Sequence, residues 1–217
     1  MARIRKKQKI KKGWRWLLYA AVCLGLFLLC IPLAGRYRRT PAAAAGEVQE
    51  AMLDKVIDGD TLLTEGGDKL RLLGIDAPES VHHDASRNTE YGRLASAHLK
   101  ELVGNRTRLW IMEPEGVEIR DRDNYDRLLR LVWTEPPLSF GEQAAVSSFS
   151  GQIKEDALRR SLNGQMLADG YATVFVMEEL PFEDLFYEIQ REAMEQKKGL
   201  WAREDWRSYA ALQQLTK

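Results

Sequence analysis

Apolar and polar positions along the 217-residue chain fall into three kinds of pattern, and each predicts a different kind of element. Leu17 to Ala34 is an apolar run broken only by Tyr19, Gly25 and Pro32 and flanked by Trp14 and Trp16. Eighteen residues rising about 1.5 Å each make roughly 27 Å of helix, the thickness of a bilayer core, and tryptophans suit the headgroup level. Further on, Val56 to Thr61 and the segment from Leu70 are β-rich runs separated by Gly66-Gly67-Asp68, which predicts a hairpin. Arg108–Met112, Leu128–Trp133 and Tyr171–Val176 are further strand candidates, the last a closing strand. Helical spacing marks Tyr91, Leu94, Ala95, Leu99 and Leu102, stopped by Gly104, and a short helix over Leu162–Ala168, stopped by Gly170. A third helix opens at Pro181, carries Glu183 and Asp184 in its first turn and buries Phe182, Leu185, Phe186, Ile189 and Ala193. It ends at Lys197-Lys198-Gly199.

This order divides the chain into five parts: a basic N-terminus 1–16, a transmembrane anchor 17–34, a linker 35–50, a domain 51–203 and a tail 204–217, to which the sequence assigns no role. Strands followed by helices mixed with further strands give an α+β domain of ordinary single-domain size. Thr134 to Ser161, with Pro136-Pro137, Gly141, Gly151 and a serine-rich centre, reads as a surface insertion.

Charge sharpens the division. The chain has 32 basic and 32 acidic residues, but 11 of the basic ones and none of the acids fall in the first 39 positions, leaving 21 against 32, a net −11, for the rest. Eight of the 11 precede Leu17 and three follow Ala34, so the N-terminus is expected on the cytoplasmic side and the domain outside. A cleaved secretory signal is the alternative. The alanine run 42–45 lies beyond Arg36, Arg38 and Arg39, an awkward place for cleavage. Cys23 and Cys30 both lie inside the apolar run, so the domain has no disulfide.

The candidate chemistry lies in the hairpin. Asp58 and Asp60 close one β-rich run, Asp76 and Glu79 close the next, and Arg71 stands between. Carboxylates gathered so closely call for a cation or an arginine, and oxygen ligands suit a hard cation. The alternative is a pair of solvated acidic turns, since Asp and Gly are ordinary turn residues. His82 and His83 lack companion nitrogen or sulfur ligands and read as loop residues, and His98 reads as packing.

Asp58-Gly59-Asp60-Thr61 followed by Arg71-Leu72-Leu73-Gly74-Ile75-Asp76-Ala77-Pro78-Glu79 resembles the signature of the staphylococcal nuclease (thermonuclease) family. Asp123-Asn124-Tyr125-Asp126-Arg127-Leu128-Leu129 resembles the family's second arginine block, with Asp126 where a glycine is common. The resemblance runs more loosely from about Met52 to Trp201. It implies a five-stranded OB-fold β-barrel with about three helices, here behind an N-terminal transmembrane helix. It also implies calcium-dependent endonuclease hydrolysis of DNA and RNA, giving 3′-phosphate ends, by a monomeric domain at the outer face of the membrane. By resemblance, Asp60, Asp76 and the carbonyl of Ala77, which stands where the best-known members have threonine, hold Ca²⁺. Glu79 orients or deprotonates water, Arg71 and Arg127 bind phosphate oxygens and stabilise the transition state, and Tyr125 touches the nucleotide phosphate. A silent, membrane-tethered module binding nucleic acid or protein on the same fold is the alternative, and the retained Asp60, Arg71, Asp76, Glu79 and Arg127 argue against it.

Overall fold

The computed structural model describes residues 46–79, 89–114, 121–137, 155–176 and 179–206. The apolar run 17–34 with its cysteines, His82 and His83, the centre of the 134–161 stretch and the end of the tail lie outside these. No helix of the described residues is long and apolar enough to cross a membrane.

Five strands close a barrel: β1 (Val48–Asp58), β2 (Thr61–Thr64), β3 (Lys69–Leu72), β6 (Leu128–Trp133) and β5 (Arg108–Met112), in the order β1-β2-β3-β6-β5. Closure depends on β1 serving two neighbours. Its first half, Val48 to Met52, pairs with β5, and its second half, Leu53 to Asp58, pairs with β2. Irregular register after Leu53 and again after Val56 lets one long strand bend between them. β3 and β6 pair in parallel, Arg71 opposite Leu129; the other neighbours in the barrel are antiparallel. The barrel is filled by Leu62, Leu70, Leu72, Leu109, Ile111 and Leu131, each 1 % exposed or less.

Outside the barrel, β4 (Ile75–Asp76) pairs with β7 (Thr173–Val174). The expected closing strand is therefore these two residues only, and it extends the motif strand instead of closing the barrel. Four α-helices are described, α1 (Glu90–Val103), α2 (Glu155–Arg160), α3 (Leu162–Ala168) and α4 (Glu183–Glu195), followed by a 3-10 turn at Gly199–Ala202. The extra helix is α2, in the stretch read as surface insertion. Its Leu158 is 2 % exposed, and the Ala157 carbonyl accepts the indole N–H of Trp133 at 2.8 Å. The stop of α1 matches expectation, the amide of Gly104 closing on the carbonyl of Lys100, and at its start the Thr89 hydroxyl accepts the amide of Gly92. Leu94 departs from expectation, being 37 % exposed.

Two boundaries move. β1 starts at Val48, inside the expected linker. The tail starts as part of the fold: Trp206, 2 % exposed, packs edge-on against Tyr91 and Trp201 at centroid distances of 5.2 and 5.9 Å, while Arg203 pairs with Glu90 at 2.8 Å.

Candidate active site

The first β-rich run of the sequence is two strands, because the chain reverses at Gly59-Asp60 between β1 and β2. The Asp58 carboxylate accepts the amide of Gly59 at 2.7 Å, the local bond by which aspartate favours turns. Only glycine fits at the next position: a Cβ on Gly59 would stand 2.7 Å from the Cβ of Ala77 and 2.8 Å from that of Ala95. The turn is thus pressed between the end of β4 and α1, and Asp60 is delivered beside Ala77.

Asp60 is 6 % exposed and every interaction it makes serves the site. Its Oδ1 accepts the Thr61 hydroxyl at 2.8 Å, and its Oδ2 accepts the amide of Ala77 at 2.9 Å. Arg71, on β3 directly opposite Thr61, places one Nη 3.0 Å from Asp60 Oδ2 and the other 2.8 Å from Asp76 Oδ1. The same guanidinium donates to the carbonyl of Leu72 at 3.3 Å. Two carboxylates from different turns therefore point at one buried positive charge. Arg71 has a side chain 8 % exposed, against 28 % for Asp76, so the cluster opens toward solvent on the Asp76 side.

Arg127 reaches the same cluster from another direction. It stands just before β6, and its Nη1 donates to the Thr61 hydroxyl at 3.3 Å, the hydroxyl that in turn donates to Asp60. Its Nε donates to Asp123 Oδ2 at 2.6 Å, and its guanidinium lies 5.3 Å from the Tyr125 ring centroid. Asp123 also accepts the amides of Tyr125 and Arg127 at 2.9 and 3.0 Å. Burial alone would raise the pKa of its carboxyl. The hydrogen bonds from the Arg127 amide and guanidinium and from the Tyr125 amide outweigh that and hold it below the ordinary value. Tyr125 itself is 78 % exposed. Asp126 occupies its glycine-like position literally, with φ at +60°.

Asp60, Arg71, Asp76, Ala77 and Arg127 are thus brought together, and Tyr125 borders them. Glu79, half-buried two residues beyond Ala77, is held through its carbonyl, which accepts the amide of Thr89 at 3.0 Å. Among the described residues no group of three or more His, Cys, Asp or Glu gathers. The donors available to a metal are the two carboxylates already aimed at one positive charge, plus main-chain oxygen. That all-oxygen set fits a hard cation. His98 stacks on Tyr171 at 4.1 Å and bonds Asp169 at 2.9 Å, a packing role away from this cluster.

Sequence reasoning missed Thr61, Asp123 and Asn163. Thr61 stood inside the quoted motif, and its place between Arg127 and Asp60 is a product of the fold. Asn163, wholly buried on α3, accepts the amide of Val132 at 3.0 Å and donates to the carbonyls of Leu73 at 2.8 Å and Arg130 at 3.1 Å. It thereby holds β6 against the end of the motif segment that carries Asp76.

Several known proteins resemble this chain in sequence. Endonuclease YhcR of Bacillus subtilis is 28 % identical over 176 residues, which are 76 % of this chain but 12 % of that protein. Micrococcal nuclease of Shigella flexneri is 28 % identical over 161 residues, 70 % of this chain and 76 % of the relative. Thermonuclease of Staphylococcus intermedius is 34 % identical over 104 residues, 46 % of this chain and 56 % of the relative. The sequence model described as staphylococcal nuclease homologue matches residues 69–203, which include Arg71, Asp76, Glu79 and Arg127. The chain belongs to the staphylococcal nuclease homologue family, and its matched segment is a hydrolase domain of the nuclease type.

Proposed function

We propose that the domain is a calcium-dependent endonuclease that hydrolyses phosphodiester bonds of DNA and RNA, leaving 3′-phosphate ends. The observation that carries the reading is the Arg71 bridge: one guanidinium spans Asp60 and Asp76, and Thr61 links Arg127 to the same Asp60. A phosphodiester entering from the exposed side of Asp76 meets two planar cationic forks whose donors match phosphate oxygens. In the reaction a water oxygen bonds to phosphorus and the bond to the 5′ oxygen breaks, that oxygen leaving as a hydroxyl with a proton from solvent; Arg71 and Arg127 stabilise the extra negative charge of the five-coordinate transition state more than they stabilise the substrate. Glu79 orients the attacking water and takes its proton. Asp60 and Asp76, with the Ala77 carbonyl, are the residues that would hold Ca²⁺. When bound, the ion supplies positive charge at the phosphate and a fixed place for water. Tyr125 borders the nucleotide phosphate.

The proposed location is outside the membrane: residues 17–34 anchor the chain once, the basic N-terminus stays cytoplasmic, and the nuclease domain acts as a monomer. What supports this is the apolar length and the eight-to-three distribution of positive charge. Signal cleavage and secretion is the alternative. Protease added to intact cells should degrade the domain, and protection would overturn the orientation.

The deciding experiment is digestion of end-labelled single- and double-stranded DNA and RNA by the purified chain, with Ca²⁺ and with excess chelator. Cleavage with Ca²⁺, 3′-phosphate ends and loss of activity in Arg71→Ala are expected. Undiminished cleavage in chelator would sink the calcium assignment, and binding without any cleavage would favour the silent module.

A further inference from the structure

The turn that carries Arg127 is clasped by a guanidinium outside the catalytic set. Arg122 donates from one Nη to Asp68 Oδ1 at 2.8 Å and from the other to the main-chain carbonyl of Asp126 at 2.8 Å. The Asp126 carboxylate lies 3.4 Å from the second nitrogen. Asp68 is a fixed post. It is 4 % exposed in the turn between β2 and β3, its amide donates to the Thr64 hydroxyl at 3.1 Å, and its carbonyl accepts the Thr64 amide at 2.9 Å. The other end of the clasp is the residue immediately before Arg127, and that residue holds a left-handed backbone which side chains other than glycine rarely adopt. A bridge between Arg122 and Leu128 closes the same loop on its far side.

We propose that Arg122 is a positioning residue for Arg127: by tying the Asp126 carbonyl to the buried Asp68 carboxylate it keeps Asp126 left-handed, and so keeps the Arg127 guanidinium on the Thr61 hydroxyl that donates to Asp60. The role depends on a fork. Arginine spans two acceptors with two nitrogens in one plane, whereas a lysine ammonium, a point charge on a flexible stem, would hold one and release the other. The bond to Asp68 also raises the pKa of Arg122, in keeping with a charge held in place. A few degrees of freedom at Asp126 translate into a displaced guanidinium at the end of the Arg127 side chain, and misplacement by about 1 Å costs an enzyme as much as 100-fold in rate. This inference rests on the catalytic reading of Arg127.

The test uses the full chain and two readouts. In steady-state cleavage of a labelled oligonucleotide, Arg122→Gln should lower kcat about tenfold with little change in KM, as expected of a group that aims a catalytic residue. Arg122→Lys should recover only part of that loss. In an Arg127→Ala background the same Arg122→Gln change should cost nothing further; an equal fold-loss in both backgrounds would overturn the proposal. The second readout needs no activity. Hydrogen exchange at the amides of Tyr125 and Arg127, both bonded to Asp123, should quicken about tenfold in Arg122→Gln while that of Ile111 on β5 stays as it was. Unchanged protection at Tyr125 and Arg127 would overturn the clasp. Inactive wild-type chain would instead strike the catalytic reading and leave the exchange result to decide the clasp alone.

Discussion

Arg71 and Arg127 approach Asp60, the first directly and the second through the Thr61 hydroxyl, from scaffolds of opposite kind. Arg71 belongs to a barrel strand paired on both sides, with its guanidinium buried between two acids. Arg127 stands at the end of a turn, with a side chain 24 % exposed and a single acid, Asp123, gripping it. The first is placed by the core, and its position is inseparable from the stability of the barrel. The second is placed by a local knot of hydrogen bonds that the barrel does not need. A site built this way has one rigid wall and one adjustable wall.

The sharpest way to break the comparison is to remove each arginine in turn. Both Arg71→Ala and Arg127→Ala should lower kcat by about 100- to 1,000-fold, the usual cost of losing one transition-state donor. Their stabilities should part company. Arg71→Ala leaves Asp60 buried without its cation and should cost about 3–5 kcal/mol in unfolding free energy. Arg127→Ala should cost less, about 1–2 kcal/mol, because Asp123, although its side chain is only 8 % exposed, keeps two amide donors and loses a guanidinium that itself faces solvent. Chemical denaturation of both variants checks this, and equal destabilisation would erase the distinction.

The rigid wall has a second support. Asn163→Ala would strand the Val132 amide and the Leu73 carbonyl in the interior, while the Arg130 carbonyl keeps the Leu73 amide at 3.0 Å. A loss of about 3 kcal/mol is expected, since each unsatisfied buried group costs about 1–3 kcal/mol and neighbouring costs do not simply add. Activity per folded molecule should fall little. A variant that stays stable but loses activity would show that Asn163 tunes the site and does not merely brace it.

The same contrast governs what the sequence made legible. β5, β6 and α3 have the bounds expected of them, and α1 has the expected stop, because strand composition, Thr89 and Gly104 are local signals. Asp60, Arg71, Asp76 and Arg127 were legible as a motif. The reversal at Gly59 was not, since its cause is contact with Ala77 and Ala95, far away in sequence. α2 offers a single buried apolar residue, Leu158, too little periodicity to announce a helix. The role of Trp206 depends on Tyr91, more than a hundred residues earlier. Arg122 lies just outside the arginine block and Asp123 only opens it; the service of each became visible only once the turn was folded, because an acid's grip on a guanidinium is a matter of place.

The adjustable wall should also be the acid-sensitive one. The folded pKa of Asp123 is lowered, so its contribution to stability is fully present above its unfolded value of about 3.8 and is lost as the pH falls through the lower folded value. Between neutrality and pH 5 the turn should therefore hold. As the pH falls through that lower folded value the amides of Tyr125 and Arg127 should lose protection while the β1–β5 ladder keeps its own. Asp123→Asn should show that loosened turn at neutral pH. An exchange profile for Asp123→Asn identical to wild type at pH 7 would mean that the carboxylate charge does not grip Arg127.

The smallest expected effect concerns Asp126. At φ of +60° a non-glycine residue carries a backbone cost of about 1 kcal/mol that glycine avoids. Asp126→Gly removes that cost while keeping the carbonyl that Arg122 holds, and it loses only a long, exposed contact between the Asp126 carboxylate and Arg122. Glycine also gives the unfolded chain more freedom, which offsets part of the gain. The net expectation is a stabilisation of a few tenths of a kcal/mol up to about 1 kcal/mol, read as a raised denaturant midpoint with unchanged slope. A lowered midpoint would mean that the aspartate side chain itself pins the turn, and Arg127 would then owe its aim to two carboxylates, Asp123 and Asp126, on the adjustable wall.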